Sequence, residues 1–248
     1  MATKPKPSTA VAVKAVSSAN IVSIQEALKA QVALMAGRVA PPTGSLIRLT
    51  QDKQFSLPDG TKTPGPLQLV VVEFTNKNVF YETAFDQKNP TPPACFALGT
   101  DLKAMVPSKN SPVVQAADCT SCPMNAWGSK GDGKACSNTK LLAVLPPDAD
   151  ADTPMWLLSV SPTAGKGFDK FVGDAARIFQ MPPVGVVVTV GFNTAVTYAS
   201  LTFSDAQPNP NVGTHFARQG EAKDMLAAEP DVSGFVPKSA KPAKTGRR

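Results

Sequence analysis

From residue 21 the apolar positions first follow a helical period. Ile24, Leu28, Val32 and Met35 share one face, Ser23 and Glu26 form a capping box ahead of them, and Gly37 stops the run. After Pro41-Pro42 the period shortens to that of strands. Ser45–Phe55 reads as one strand, Pro58-Asp59-Gly60 as a turn, and Leu67–Thr75 (LQLVVVEFT) as the strongest strand of the first half. Asn76–Asn78 predict a turn into Val79–Thr83, which makes a hairpin. Ala94–Leu98, Lys140–Leu145 and Met155–Val160 are further strands, the last two parted by the acidic turn PPDADADTP. Phe168, Phe171, Val172, Ala175, Ile178 and Phe179 restore the helical period over Gly167–Gln180. Val184–Phe192 and Val196–Phe203 form a second hairpin joined at Asn193–Ala195, and a last helix covers Arg218–Ala228.

These elements predict a mainly β fold with a few helices, of the α+β class. Seven or eight strands with a helix inserted before the last hairpin fit an OB-like five-stranded barrel with extra hairpins and a zinc-pinned loop; strand counting also allows a sandwich. The 24 prolines fall between short apolar runs, as expected for strands and loops. Residues 1–20 are Lys/Pro/Ser/Ala-rich and predict a disordered basic tail, residues 21–236 one globular domain, and residues 237–248 a second disordered basic tail.

Charge separates the same regions. The net charge is +6, but Lys4, Lys6 and Lys14, with Lys238, Lys241, Lys244, Arg247 and Arg248, lie in the two tails, leaving 17 basic against 19 acidic residues between them. Basic tails attract polyanions of any kind. No run approaches a membrane-spanning length, and the lysine-bearing start lacks a sustained apolar stretch, so the expectation is a cytoplasmic chain in a reducing compartment.

The four cysteines, Cys95, Cys119, Cys122 and Cys136, are spaced C-x23-C-x2-C-x13-C. A C-x2-C knuckle turns tightly enough for two thiolates to meet one tetrahedral ion, and the other pair need only be brought near by the fold. This predicts one structural zinc ion that closes the loop 95–136. Two disulfides, a redox pair, unliganded thiols and an iron–sulfur cluster are the other readings, the last lacking the compact ligand run of ferredoxins. Four protein thiolates leave no open position for Lewis-acid chemistry. The chain carries one histidine, His215, in a polar stretch that reads as surface, so no Ser-His-Asp or Cys-His arrangement is available. Gly165-Lys166-Gly167 lacks the spacing of a phosphate loop, and Asp148, Asp150 and Asp152 lack the glycine and glutamate of a calcium loop. The expectation is a binding protein, not an enzyme.

Single-stranded DNA requires aromatic faces for bases and cations for phosphates. The central loop offers Lys103, Lys109, Lys130, Lys134 and Lys140, with Trp127 five residues past the knuckle; that ring either stacks on a base or packs over the metal site. Lys77, Phe80 and Tyr81 add a second group, in which strand alternation puts one ring in the core and Tyr81 outside.

The stretches PACFALGT (Pro93–Thr100), MVPSKNSP, CTSCPMNAWGSKGDGKAC (Cys119–Cys136) and NTKLLAVL, with the closing VVVTVGF and TYASLTF, resemble a group of phage-encoded single-stranded-DNA-binding proteins. The resemblance spans roughly residues 45–205, and the cysteine block is its specific part. It implies an OB-fold, a role in phage DNA replication or recombination in the host cytoplasm, replication or recombination proteins as partners, and room for self-association. One departure stands out: proteins of this class usually end in an acidic tail, whereas this chain ends KSAKPAKTGRR. A virion structural or assembly protein stabilised by zinc is the competing reading.

Overall fold

A computed structural model describes residues 45–84 and 91–237. The helix expected at 23–36 and the tails at 1–20 and 238–248 lie outside the described residues. The described chain is mainly β, a single curled half-barrel sheet with three helices. The nine strands are β1 (Leu46–Leu49), β2 (Phe55–Ser56), β3 (Lys62–Thr63), β4 (Leu67–Phe80), β5 (Cys95–Gly99), β6 (Cys136–Leu145), β7 (Trp156–Val160), β8 (Val186–Phe192) and β9 (Leu201–Pro208). The helices are α1 (Pro162–Asp174), α2 (Val212–Ala217) and α3 (Gln219–Leu226).

The sheet runs β3-β2-β1-β7-β6-β4-β8-β9, with β5 also on β4 and only β1–β7 parallel. It is larger than a five-stranded barrel, and its path stays open from β3 to β9. The organising element is β4, whose 14 residues span about 46 Å at the usual rise. One edge pairs with β6 from Val70 to Phe80. The other edge is shared: β8 takes Leu67–Val70 and β5 takes Asn76–Phe80.

Both faces of the sheet are covered, which explains the unbroken apolar runs. On the inner face Leu69, Val71, Leu142, Val144, Leu158 and Val160 pack with Phe168 and Phe171 of α1. On the outer face Val70, Val72, Leu141, Ala143 and Leu145 pack with Ala222 and Leu226 of α3. A strand buried on both sides has no polar positions to alternate with. A bulge between Val71 and Glu73 shifts the register, so that from Phe74 onward the even-numbered residues of β4 face inward.

Five expectations are corrected. Asn76–Asn78 form no turn; they lie inside β4, where the Asn76 amide donates to Gly99 O and Thr100 O, both at 3.1 Å. Neighbouring strands satisfy these side chains and override the turn preference of asparagine. Ser45–Phe55 is two strands, because Thr50–Gln54 closes a turn with Lys53 at φ 57°. The second strand of the last hairpin begins at Leu201, after a loop that Asn193 N closes on Ser200 O at 2.8 Å. His215 is 0% exposed, held by Asn209 and Ala149 O instead of by water. The amphipathic helix also starts earlier than its pattern suggests and ends in a wide π turn over Ala175–Phe179. The extra residue of that turn rotates Ile178 into solvent, although it keeps the 3.6 period in sequence.

Candidate metal centre and nucleic-acid loop

The cysteines come from three parts of the chain and meet at the far end of β4. Cys95 opens β5 and Cys136 opens β6, and both stand opposite Phe80, one on each side of it. Directly opposed residues share a face, so both thiols point to the inner side, their Cα atoms two strand spacings or about 10 Å apart. Cys119 and Cys122 arrive on the loop between β5 and β6. Cys119 N donates to Met105 O at 3.0 Å, which seats the knuckle against the sheet. Asp118 shapes the turn by accepting from Thr120 Oγ1, Ser121 N and Ser121 Oγ, each at 2.7 Å. Those hydrogen bonds, led by that of Ser121 N, hold the Asp118 carboxyl down at about 2.

All four cysteines line one small cavity of about 20 Å3, together with Asn78 and Asn125. All four are free thiols. Burial first, and the charges of the other three cysteines second, push Cys136 up to about 12. Burial likewise raises Cys119, against an opposing hydrogen bond from Asn78. Among the described residues no three His, Cys, Asp or Glu side chains stand in a ready coordination group. Thiolates held this close repel one another, and a cation at their centre would offset that repulsion.

Around the thiols lies a polar network that sequence reading missed. Asn125 Nδ2 donates to Cys119 O at 2.6 Å, and Lys134 Nζ donates to Asn125 Oδ1 and to Asn138 Oδ1, both at 3.2 Å. Asn138 Nδ2 in turn donates to Asn78 Oδ1 at 2.7 Å. Asn78 and Asn138 are cross-strand partners on the row next to Cys95–Phe80–Cys136. Their sequence signal, asparagine in an apolar strand, is indistinguishable from a turn signal.

Trp127 sits past the knuckle, just before the turn at Gly128–Gly133, where Gly128 (φ 83°) and Gly131 (φ 57°) adopt backbone that side chains disfavour. Its ring is 78% exposed and does not line the cysteine cavity. Lys134 Nζ lies 5.8 Å from the ring centroid, within cation–π range. Tyr81, the residue after β4, is 48% exposed.

The six lysines named from sequence fall into distinct settings. Lys103 and Lys130 are exposed on the loop with no carboxylate partner among the described residues. Lys109 is also exposed but lines a separate, larger cleft on the outer face. Lys134 is committed to the asparagines and the indole. Lys140, with only 12% of its side chain exposed, donates to Asn76 Oδ1 at 3.0 Å and pairs with Asp169 of α1 at 3.1 Å. Lys77 is half-buried on the opposite face of β4, between Leu98 and Thr139, and burial lowers its pKa. The structure therefore brings Trp127, Lys130 and Lys134 together in one loop and puts Lys77 and Lys140 on opposite sides of the sheet.

No helix among the described residues is long and apolar enough to cross a membrane. No family model matches this chain, and no curated protein or solved structure matches it either.

Proposed function

We propose that this chain binds single-stranded DNA through an OB-like core whose longest loop is stiffened by one zinc ion. Five of the nine strands run in the spatial order β7-β6-β4-β8-β9, with α1 placed between β7 and β8 in sequence. This order, with α1 after the third of the five strands, supports an OB-like reading in which β4 is the long first strand; β1, β2 and β3 extend the sheet beside β7. In this fold the loop between the first two strands lines the oligonucleotide groove. Here that loop runs from β4 to β6 and carries β5, the cysteines and Trp127. Fold alone is a weak warrant for function. The observation that carries the reading is Trp127, 78% exposed on this loop with a cation at 5.8 Å from its ring.

A base stacking on the indole would bring its phosphates toward Lys103 and Lys130, and stacking tolerates any sequence. Arg48, Ser56 and Lys62 stand in register across β1, β2 and β3, which puts two exposed cations at that end of the sheet. The four thiols suit zinc: a soft all-sulfur set, with no His, Asp or Glu side chain lining the same cavity. Cys95, Cys119, Cys122 and Cys136 would hold the ion, and its charge would favour the thiolates that burial otherwise disfavours.

Two measurements test this reading. In a Trp156→Phe background, Trp127 fluorescence should be quenched by oligo-dT, with affinity falling steeply as salt rises. Unchanged fluorescence together with no complex at low salt would overturn the DNA reading. Metal analysis of the purified chain should give one zinc per chain, and a metal-free, fully folded protein would overturn the zinc reading.

A further inference from the structure

Lys134 stands at the head of a hydrogen-bond network that ends on a single cysteine. Its ammonium donates to Asn125 Oδ1 and to Asn138 Oδ1, both at 3.2 Å, and has no carboxylate partner among the described residues. A lysine ammonium can only donate, whereas an asparagine amide can present either an oxygen or an N–H group. The lysine therefore decides which way both amides face. With Oδ1 held by Lys134, Asn125 turns Nδ2 to the Cys119 carbonyl at 2.6 Å. With Oδ1 held in the same way, Asn138 turns Nδ2 to Asn78 Oδ1 at 2.7 Å. Asn78 is left with Nδ2 to offer, and its side chain hydrogen-bonds the Cys119 thiol.

Both branches thus end on Cys119, one at its backbone carbonyl and the other at its sulfur. The fold holds each member in place. Asn78 and Asn138 are cross-strand partners on β4 and β6, and Asn78 is buried. Asn125 and Lys134 lie on the two sides of the turn that Gly128 N closes on Gly133 O at 2.9 Å. Asn78 and Asn125 line the cavity of the four thiols, and Lys134 does not. An N–H donated to sulfur favours the thiolate that a metal requires; an amide oxygen in its place would repel it.

We infer that Lys134 is the positioning residue of the zinc site: as a donor-only cation it sets the polarity of both amide branches, so that N–H groups and not carbonyl oxygens face Cys119. The inference rests on the zinc reading and deepens it, because it gives control of the site to a side chain that carries no ligand atom. Outer partners of this kind typically contribute about 10- to 100-fold in metal affinity.

The test is the metal affinity of the full chain, read with cobalt(II) from its thiolate charge-transfer absorption and with zinc by competition against a chromophoric chelator. Lys134→Met keeps the length of the side chain, loses its donors, and should bind zinc about 10- to 100-fold more weakly. Lys134→Arg, also donor-only, should stay within about threefold of the wild type. Lys130→Met removes the same charge from the same loop and should change nothing. Asn78→Leu should weaken zinc binding as well, and the double variant with Lys134→Met should fall short of the product of the two single losses by about threefold or more, as expected for groups acting in one chain. Losses that multiply, or an equal loss in Lys130→Met, would make Lys134 a bulk charge and overturn the inference. An arginine variant as weak as the methionine one would overturn it too. A wild type that binds no metal would overturn the zinc reading and this inference together, whereas one zinc per chain with Lys134→Met as tight as the wild type would overturn this inference alone.

Discussion

Replacing His215 by alanine should destabilise the protein strongly and remove a defined part of its pH dependence. The imidazole is 0% exposed and links three segments. Nε2 lies 3.2 Å from Ala149 O in the acidic turn, so it carries the hydrogen; Nδ1 accepts from Asn209 Nδ2 at 2.9 Å. The orientation of Asn209 is fixed independently, since Nδ2 also donates to Val184 O at 2.8 Å and Oδ1 accepts from Asn211 N at 3.0 Å. Alanine would strand the Ala149 carbonyl and one Asn209 N–H in buried positions, each at about 1–3 kcal/mol, and would leave a void besides. The two stranded groups alone come to about 2–6 kcal/mol, a large share of the ~5–15 kcal/mol that holds a typical domain together.

Protonation has the same target. A second hydrogen on Nδ1 would point at the Asn209 amide donor, and burial, followed by the nearby charge of Arg218, lowers the His215 pKa. The folded value thus lies below the unfolded one, near 6.5. The stabilisation is fully present above about pH 6.5 and is lost as the pH falls through the folded pKa. Urea denaturation at pH 8 and at a series of lower pH values should give a wild-type stability that falls below pH 6.5 more steeply than that of His215→Ala. A loss under about 1 kcal/mol at pH 8, or identical pH slopes, would refute the reasoning.

Trp127→Ala should weaken oligo-dT binding by about 5- to 150-fold, the equivalent of ~1–3 kcal/mol of stacking, and leave the thermal midpoint unchanged because the ring is solvent-exposed. Cys136→Ser should abolish bound zinc and raise protease sensitivity within residues 100–135, read by mass spectrometry of limited digests; an unchanged digest would show that the thiol site does not order the loop. Lys140→Met removes the donor to Asn76 Oδ1 and the partner of Asp169, and should cost about 1–3 kcal/mol in denaturant unfolding while leaving the salt dependence of DNA binding intact.

The strands of this protein were legible in its sequence where local pattern and tertiary environment agree. Val186–Phe192 is apolar and β-branched enough to read as a strand from local pattern, Leu142–Leu145 is a short apolar run, and Phe168 and Phe171 announce the buried side of α1. The C-x2-C spacing by itself keeps Cys119 and Cys122 close together along the chain. What the local pattern could not carry was pairing. Asn76–Asn78 look like a turn until β5 and β6 arrive to satisfy their amides, and Cys95 and Cys136 are brought to one face only because both strands take Phe80 as partner. His215 reads as polar surface because its partners, Asn209 and Ala149, belong to segments that the fold closes around it. The gap along the shared edge of β4 has no signal at all in sequence, since it is set by where β8 ends and β5 begins. Propensity and period act over a few residues; the fates of amides, imidazoles and strand edges depend on which distant groups the folded chain brings within hydrogen-bond reach.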